Sequence, residues 1–381
     1  MSPTPTRRRG FAALVGVAIL LVIYTHTTGL SFAPISFSMT SSPDQHRPEI
    51  GVLPVPSTTY VISLPHRTDR YEDMERLRSL LGVQWNYIVA ENYQSPLVER
   101  IMSGVRSLRE EKMKGYPTNT TVQLPFEWPS PDTAFTTPPF QGSSDTPASP
   151  AASNSDPLTT AQKNFTLTPY SKKLPEHMIL TRGRIACWHS HLSVIQRVAT
   201  HAPDDVALIL EDDVDMESDI KERLAGLWNL LPADWDMVFL GESYYRIACD
   251  GDTQPSFFSG HCWGRESTNP PLGKTWTWSP ELNASVSTAL HPSHTPLCTH
   301  AYALSPAGAK RLLRDLNYPP FAYSRAIDSA LAFLVFSRRV KSFSLVPSIV
   351  VQRKIGNSDV VAGKGSWKDK LVHGMLANEG Y

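Results

Sequence analysis

An apolar run, Val206 to Leu210, ends abruptly in acid at Glu211, Asp212 and Asp213, with Asp215 one residue beyond Val214. Clustered carboxylates repel one another and seldom gather without a cation to neutralise them. Hard oxygen ligands suit Mg²⁺ or Mn²⁺, and such ions commonly bridge to a substrate diphosphate. A short continuous apolar run suits a strand buried on both faces. The acids then stand at its C-terminal end, where open α/β sheets bind ligands. The chemistry on offer is a divalent metal holding a phosphorylated donor. The plainer alternative is a strand running into a solvated acidic helix start, because Asp and Glu favour first turns.

Other residues could share that chemistry. Arg67 and Arg70 fall at an early strand-to-helix junction, a position that suits a phosphate or a uracil carbonyl, or simply two solvated arginines. Ser190 and His191 lie near a helix start, where they could hold a ligand or cap and pack. Asp328 opens a late helix, either as a cap or as a base facing the pocket. The four cysteines, Cys187, Cys249, Cys262 and Cys298, lack the paired spacing of a zinc site; Cys249 and Cys262 would close a short loop in an oxidising compartment.

The elements that must position these residues alternate. Thr59–Leu64 is a β-branched, aromatic strand, Pro65–Arg67 a turn, Asp69–Leu81 a helix stopped by Gly82, and Trp85–Val89 a second strand. Gly183 permits a tight turn, and Leu192–Ala199 follows as a helix. After the acidic strand come a helix over 218–231, a strand over 234–241 ending at Gly241-Glu242, and a strand over 300–304. Ser305-Pro306 then opens a helix to about Leu316, and strands follow near 344–346 and 349–351. Strands alternating with helices predict an α/β fold with a mainly parallel sheet.

Two stretches interrupt the pattern. Residues 117–160 are rich in Pro, Ser and Thr and predict a disordered low-complexity insert. Residues 246–297 predict an irregular insert whose aromatics form either a satellite core or an acceptor-binding loop. Residues 361–381 predict a basic, mobile tail. At the other end, Arg7-Arg8-Arg9 precede an uncharged apolar run from Phe11 to Tyr24. With the weaker stretch to Leu30 this predicts a transmembrane signal anchor over 11–30, a cytosolic tail over 1–10 and a Ser/Pro/Thr-rich stem over 31–57. The alternative is a signal peptide cleaved after Ala33. Both send the rest into the secretory lumen, in the Golgi or endoplasmic reticulum. Three sequons, at Asn119, Asn164 and Asn283, agree with that compartment. The 36 basic and 36 acidic residues balance, so no overall field favours nucleic acid.

Taken in order, the early Val61-Ile62-Ser63-Leu64 with Arg67 and Arg70, then Gly183…Cys187…Ser190-His191, Leu210-Glu211-Asp212-Asp213-Val214, Asp236…Leu240-Gly241, Ala301-Tyr302-Ala303-Leu304-Ser305…Gly308-Ala309, Asp328 and Pro347…Gln352…Ser358 resemble glycosyltransferase family 25. Ala186 and Ser63 depart from the family's usual Gly and Asn. The resemblance spans the ordered part of 59–359. It implies a GT-A-like fold, a UDP-sugar donor, usually UDP-galactose, and inverting transfer to a hydroxyl of a glycan, glycoprotein or glycolipid. It implies Mn²⁺ (or Mg²⁺) on Asp213, with Asp215 or Glu211 nearby. Asp212 would meet ribose or sugar hydroxyls, and Leu64, Arg67, Arg70, Ser190 and His191 would line the nucleotide-sugar site. Asp328 is the first candidate for the base and Glu242 the second. Two other functions compete: a two-metal phosphoesterase, which would need more His and Asp ligands, and a catalytically decayed sugar- or nucleotide-binding protein of the same fold.

Overall fold

The computed structural model describes residues 56–117, 120–130, 133, 135, 137–141, 156–162, 165–201, 205–241, 270–273, 275–277, 287–353 and 371–376. It begins with β1 (Thr58–Ser63), α1 (Thr68–Leu81) and β2 (Asn86–Val89). In α1, Met74, Leu77 and Leu81 recur at helical spacing and are buried; Gly82, at φ 58°, turns the chain out of the helix. The sequence pattern assigns nothing to residues 96–112, yet they form α2 (Pro96–Lys112). The Ser95 hydroxyl accepts from Val98 N at its start, and Val98, Ile101 and Val105 bury one face.

Next come β3 (Val122–Gln123), β4 (Thr166–Leu167) and α3 (Arg182–His201). Helix α3 begins ten residues before the predicted Leu192, so Gly183 lies in its first turn rather than in a tight loop. Ile185, Trp188, Leu192 and Ile195 bury its length. The acidic stretch follows as β5 (Ala207–Glu211) and β6 (Val214–Met216), joined by a turn at Asp212-Asp213. Then come α4 (Ile220–Trp228), β7 (Met237–Phe239), β8 (Trp276–Thr277), β9 (Ser287–Pro292) and β10 (Ala301–Leu304). The last elements are α5 (Pro306–Leu316), α6 (Ile327–Phe336), β11 (Ser342–Val346) and β12 (Val350–Gln352).

Eight strands form one sheet in the order β2-β1-β5-β10-β7-β11-β9-β8. Six run in one direction; β10 and β9 are reversed. The sheet is thus mixed α/β and mostly parallel. Strand β5 explains its own composition: Ala207 and Ile209 pack into one apolar layer, Leu208 and Leu210 into the other. Period-two alternation places each residue from Ala207 to Leu210 in a core, so no polar face is needed. Full burial of one such Leu or Ile contributes about 1.5–3 kcal/mol. Residues of α3, α5 and α6 pack on one face, residues of α1 and α4 on the other. Gly308 lets α5 lie close on the chain at the start of β7, since a Cβ there would come within 2.3 Å of Asp236 O.

Parts of three stretches read as inserts or tail are ordered among the described residues. Within the insert 117–160, Val122, Leu124 and Leu158 are buried, and Phe126 stacks on Phe165 and meets Trp128 edge-on beside Phe321. A few aromatics supply the apolar area that the Pro/Ser/Thr-rich composition conceals. Within 246–297, residues 287–292 are β9, a strand of the main sheet paired with β11. In the tail, residues 371–376 are tied to β6: Met375 N donates to Met216 O, and Val372 N and His373 N donate to the Glu217 carboxylate. Among the described residues no helix is long and apolar enough to cross a membrane. The predicted anchor over 11–30, Cys249, Cys262 and the sequons at Asn119, Asn164 and Asn283 lie outside the described residues.

Candidate active site

The C-terminal ends of β1 and β5 lie side by side, with Ile62 opposite Glu211. That register brings Ser63, the start of α1 and the acidic turn together. Ser63 Oγ donates to Asp212 Oδ2 at 2.8 Å. Arg70 reaches over from the first turn of α1, donating to Asp212 Oδ1 at 2.8 Å and lying 3.3 Å from Asp213 Oδ2. Burial alone would lower the Arg70 pKa, but Asp213 and Asp212 outweigh it and raise it, so the guanidinium is fixed as a cation.

Asp213 is bound from the other side by β12. That strand pairs antiparallel with β6, setting Gln352 opposite Val214. Gln352 Nε2 then donates to Asp213 at 3.2 and 3.3 Å, and Arg353 N donates to Asp213 O at 2.7 Å. Burial pushes the Asp213 carboxyl up to about 6; Arg70 opposes the rise, while Glu211 and Asp212 add to it. Asp213 is therefore a buried acid crowded by like charges, with one cation only partly relieving it.

Glu211 faces a different set of partners. His191 Nε2 lies 3.3 Å from its Oε1, and Thr299 Oγ1 donates to the same oxygen at 2.7 Å. Burial would raise its pKa, but the His191 and Thr299 contacts prevail and hold it at about 2. His191 is buried, with Nδ1 3.1 Å from the buried Tyr302 hydroxyl of β10. Cys187 stands one turn before His191 on α3, and its thiol is pushed well up by burial and then by Glu211, Asp328 and Asp213.

Asp328 sits in the first turn of α6, where its Oδ1 accepts from Ser329 N at 2.6 Å. Burial raises its pKa; the Ser329 bonds and Arg184 oppose the rise, and Glu211 adds to it. Asp328, Glu211 and Asp213 thus share one electrostatic neighbourhood with Cys187.

Several predicted site residues make contacts outside the acidic turn. Asp215 is fully buried, and its Oδ1 accepts from Met216 N at 2.8 Å and Leu376 N at 3.0 Å. Through that oxygen it anchors the 371–376 segment. The Ser190 hydroxyl donates to Ala186 O and accepts from Glu91 N, tying α3 to the end of β2. His191 is buried against Glu211 and Tyr302. Arg67 pairs with Asp69 at 2.9 Å, holding that carboxyl near 2, and its backbone N–H donates to Leu64 O. Leu64 forms that turn beside the site. Glu242 lies outside the described residues, directly after Gly241.

The geometry also adds residues that the predicted site omits. Ser63 and Gln352 hold the acids, and their motifs carried the signal. Thr299 and Tyr302 hold Glu211 and His191. Thr299 lies in a loop with no pattern of its own, so only the strand pairing brings it in. Arg184, buried on α3, donates to Glu176 O and Ile179 O and lies within electrostatic reach of Asp328.

The motif resemblance implies Arg70 for the nucleotide and the acidic turn for a metal; in the structure Arg70 pairs with Asp212 and Asp213. Residues 57–243 match glycosyltransferase family 25 (LPS biosynthesis protein). The match covers just under half of the 381 residues and contains Arg70, His191 and the whole acidic turn. Asp328, Thr299 and Gln352 lie beyond it. A bovine (Bos taurus) relative, "Probable inactive glycosyltransferase 25 family member 3", is 37% identical over 76 residues. That alignment spans 19% of this chain and 12% of the relative. Glycosyltransferase family 25 is thus the family reached both from the motifs and from the match.

Proposed function

We propose that this protein is a glycosyltransferase taking its sugar, galactose first among candidates, from a UDP-sugar and passing it to a glycan, glycoprotein or glycolipid hydroxyl. The observation that carries the reading is the Arg70-clamped Asp212-Asp213 turn at the joined ends of β1 and β5. A hard cation fits that turn at Asp213, whose carboxyl stays high at about 6 despite Arg70. Excess negative charge of that kind is relieved by a divalent ion. Glu211 fits beside it, since both its hydrogen bonds fall on Oε1. Asp215, fully buried, holds Met216 N and Leu376 N through Oδ1 and so faces the 371–376 segment. Bound at Asp213, Mn²⁺ would offset charge on the leaving diphosphate.

The chain's own residues do the rest. Asp212, locked by Ser63 and Arg70, presents a fixed acceptor for donor hydroxyls. Arg70 brings a permanent positive charge to the diphosphate side. Asp328, its carboxyl raised by burial, suits the role of base toward the acceptor hydroxyl. The apolar run over 11–30 would tether this domain in the Golgi or endoplasmic reticulum as a type II membrane protein.

A second reading has an observation behind it. Arg70 already offsets part of the acidic pair's charge, and the bovine relative's name says it is probably inactive. A nucleotide-binding protein without turnover is consistent with both. Calorimetry of UDP binding to the full chain separates the cases. The transferase reading expects binding that strengthens with Mn²⁺ and loses that gain in Asp213→Asn. Metal-indifferent UDP binding supports the decayed protein.

A further inference from the structure

Three side chains of different chemistry meet beneath the acidic turn. Cys187 and His191 are four residues apart on α3 and so share one helix face. Glu211 at the end of β5 meets that face. One ligand atom from each of the three lies within 4.8 Å of the other two. We propose that Cys187, His191 and Glu211 Oε1 form a second metal site, meeting the Asp213 site only through the other Glu211 oxygen, that prefers Zn²⁺ over Mn²⁺ and keeps an open coordination position.

The spacing favours this. Two ligand atoms about 2.0 Å from a tetrahedral zinc stand about 3.3 Å apart. His191 Nε2 and Glu211 Oε1 are 3.3 Å apart already. From within 4.8 Å, the thiol must close by at most about 1.3 Å to reach a Zn–S bond of about 2.3 Å. Three protein ligands leave a fourth position, the arrangement of reactive rather than closed zinc sites.

The supporting shell is also in place. Zinc-bound imidazoles have their second nitrogen fixed by a partner. Here His191 Nδ1 meets the Tyr302 hydroxyl at 3.1 Å. That hydroxyl can accept as well as donate, so Nδ1–H can point to Tyr302 while the Nε2 lone pair turns to the metal. Thr299 Oγ1 orients Glu211 at 2.7 Å. Metal binding breaks the Cys187 S–H bond, forms a metal–thiolate bond and releases one proton to solvent. A thiolate–imidazole–carboxylate set suits zinc, and Mn²⁺ stands at the weak end of the divalent series. Asp213, an all-oxygen neighbour, is left to the harder ion.

Cobalt reports the site directly. The metal-stripped full chain is titrated with Co²⁺ and followed by absorption. One Co²⁺ per chain should bind with a thiolate-to-cobalt charge-transfer band, erased by equimolar Zn²⁺ but not by Mn²⁺. Cys187→Ser should abolish the band, Tyr302→Phe should weaken Co²⁺ affinity about 10–100-fold, and Asp213→Asn and Cys298→Ser should keep it. No band in the wild type, or a band surviving Cys187→Ser, overturns the proposal. Loss of the band in Asp213→Asn overturns the separateness of the site. Should Cys187→Ser fail to fold, Zn²⁺ must still raise the thermal midpoint of the wild type and not of Glu211→Gln. An equal rise in both also overturns it. None of these readouts uses UDP, so their outcome is independent of the donor-binding reading.

Discussion

Replacing Asp213 by Asn should stabilise the fold while removing function. Asp213 has an ordinary pKa of 3.8 and is pushed to about 6 by burial and by its acidic neighbours. The folded state therefore holds its proton more tightly than the unfolded chain. Between those two values the native state binds more protons, so stability falls as pH rises through the window and the loss is complete above it. A difference of about 2 in pKa corresponds to about 3 kcal/mol. The Asn amide keeps an oxygen for Gln352, and the attraction to Arg70, 3.3 Å away, is already contained in that value. That leaves a net gain of about 1–3 kcal/mol at pH 7.5. Urea unfolding of wild type and Asp213→Asn at pH 7.5 and 4.5 measures it. The gap between the two should shrink at pH 4.5, where wild-type Asp213 is largely protonated. Glu211, held near 2, acts in the opposite sense at lower pH, but it is common to both proteins and cancels in the difference. A variant less stable than wild type at pH 7.5, or a gap that does not change with pH, refutes the account of Asp213 as a strained acid.

Further outcomes follow from the same geometry. Arg70→Met leaves two buried carboxylates without their shared cation and should cost about 3–5 kcal/mol in urea unfolding at pH 7.5. Asp328→Asn should lower kcat about 10²–10⁴-fold in a transfer assay with UDP affinity unchanged; near-normal turnover removes Asp328 as the base. Gly241→Ala would set a Cβ 2.1 Å from His300 Nε2 and 2.3 Å from Val350 O, and should cost about 1–3 kcal/mol by thermal unfolding.

Much of the frame was legible in the chain. The apolar run of β5 announced a strand buried on both faces, and its two core layers are why no polar alternation appears. Helix α5 was marked by Ser305-Pro306, and the Ser305 hydroxyl does accept from Gly308 N. What remained hidden depended on distant pairing. Asp213 and Asp215 look equivalent in sequence, yet one meets Arg70 and Gln352 while the other meets Leu376, 161 residues on. Composition misled at 117–160, where a few aromatics outweigh many prolines and serines. The pairing of Cys187 with His191 needed α3 to begin at Arg182, and a helix placed only from Leu192 could not bring the two together.

The central claim is that the Arg70-clamped turn holds a UDP-sugar through a metal at Asp213. Its most direct test is hydrolysis of a panel of UDP-sugars by the full chain, with Mn²⁺ and then with EDTA, beside Asp213→Asn. Slow Mn²⁺-dependent release of UDP from one donor, absent in the variant, is the predicted result. Folded wild-type protein that turns over no donor, or releases UDP equally well with Asp213→Asn, contradicts it.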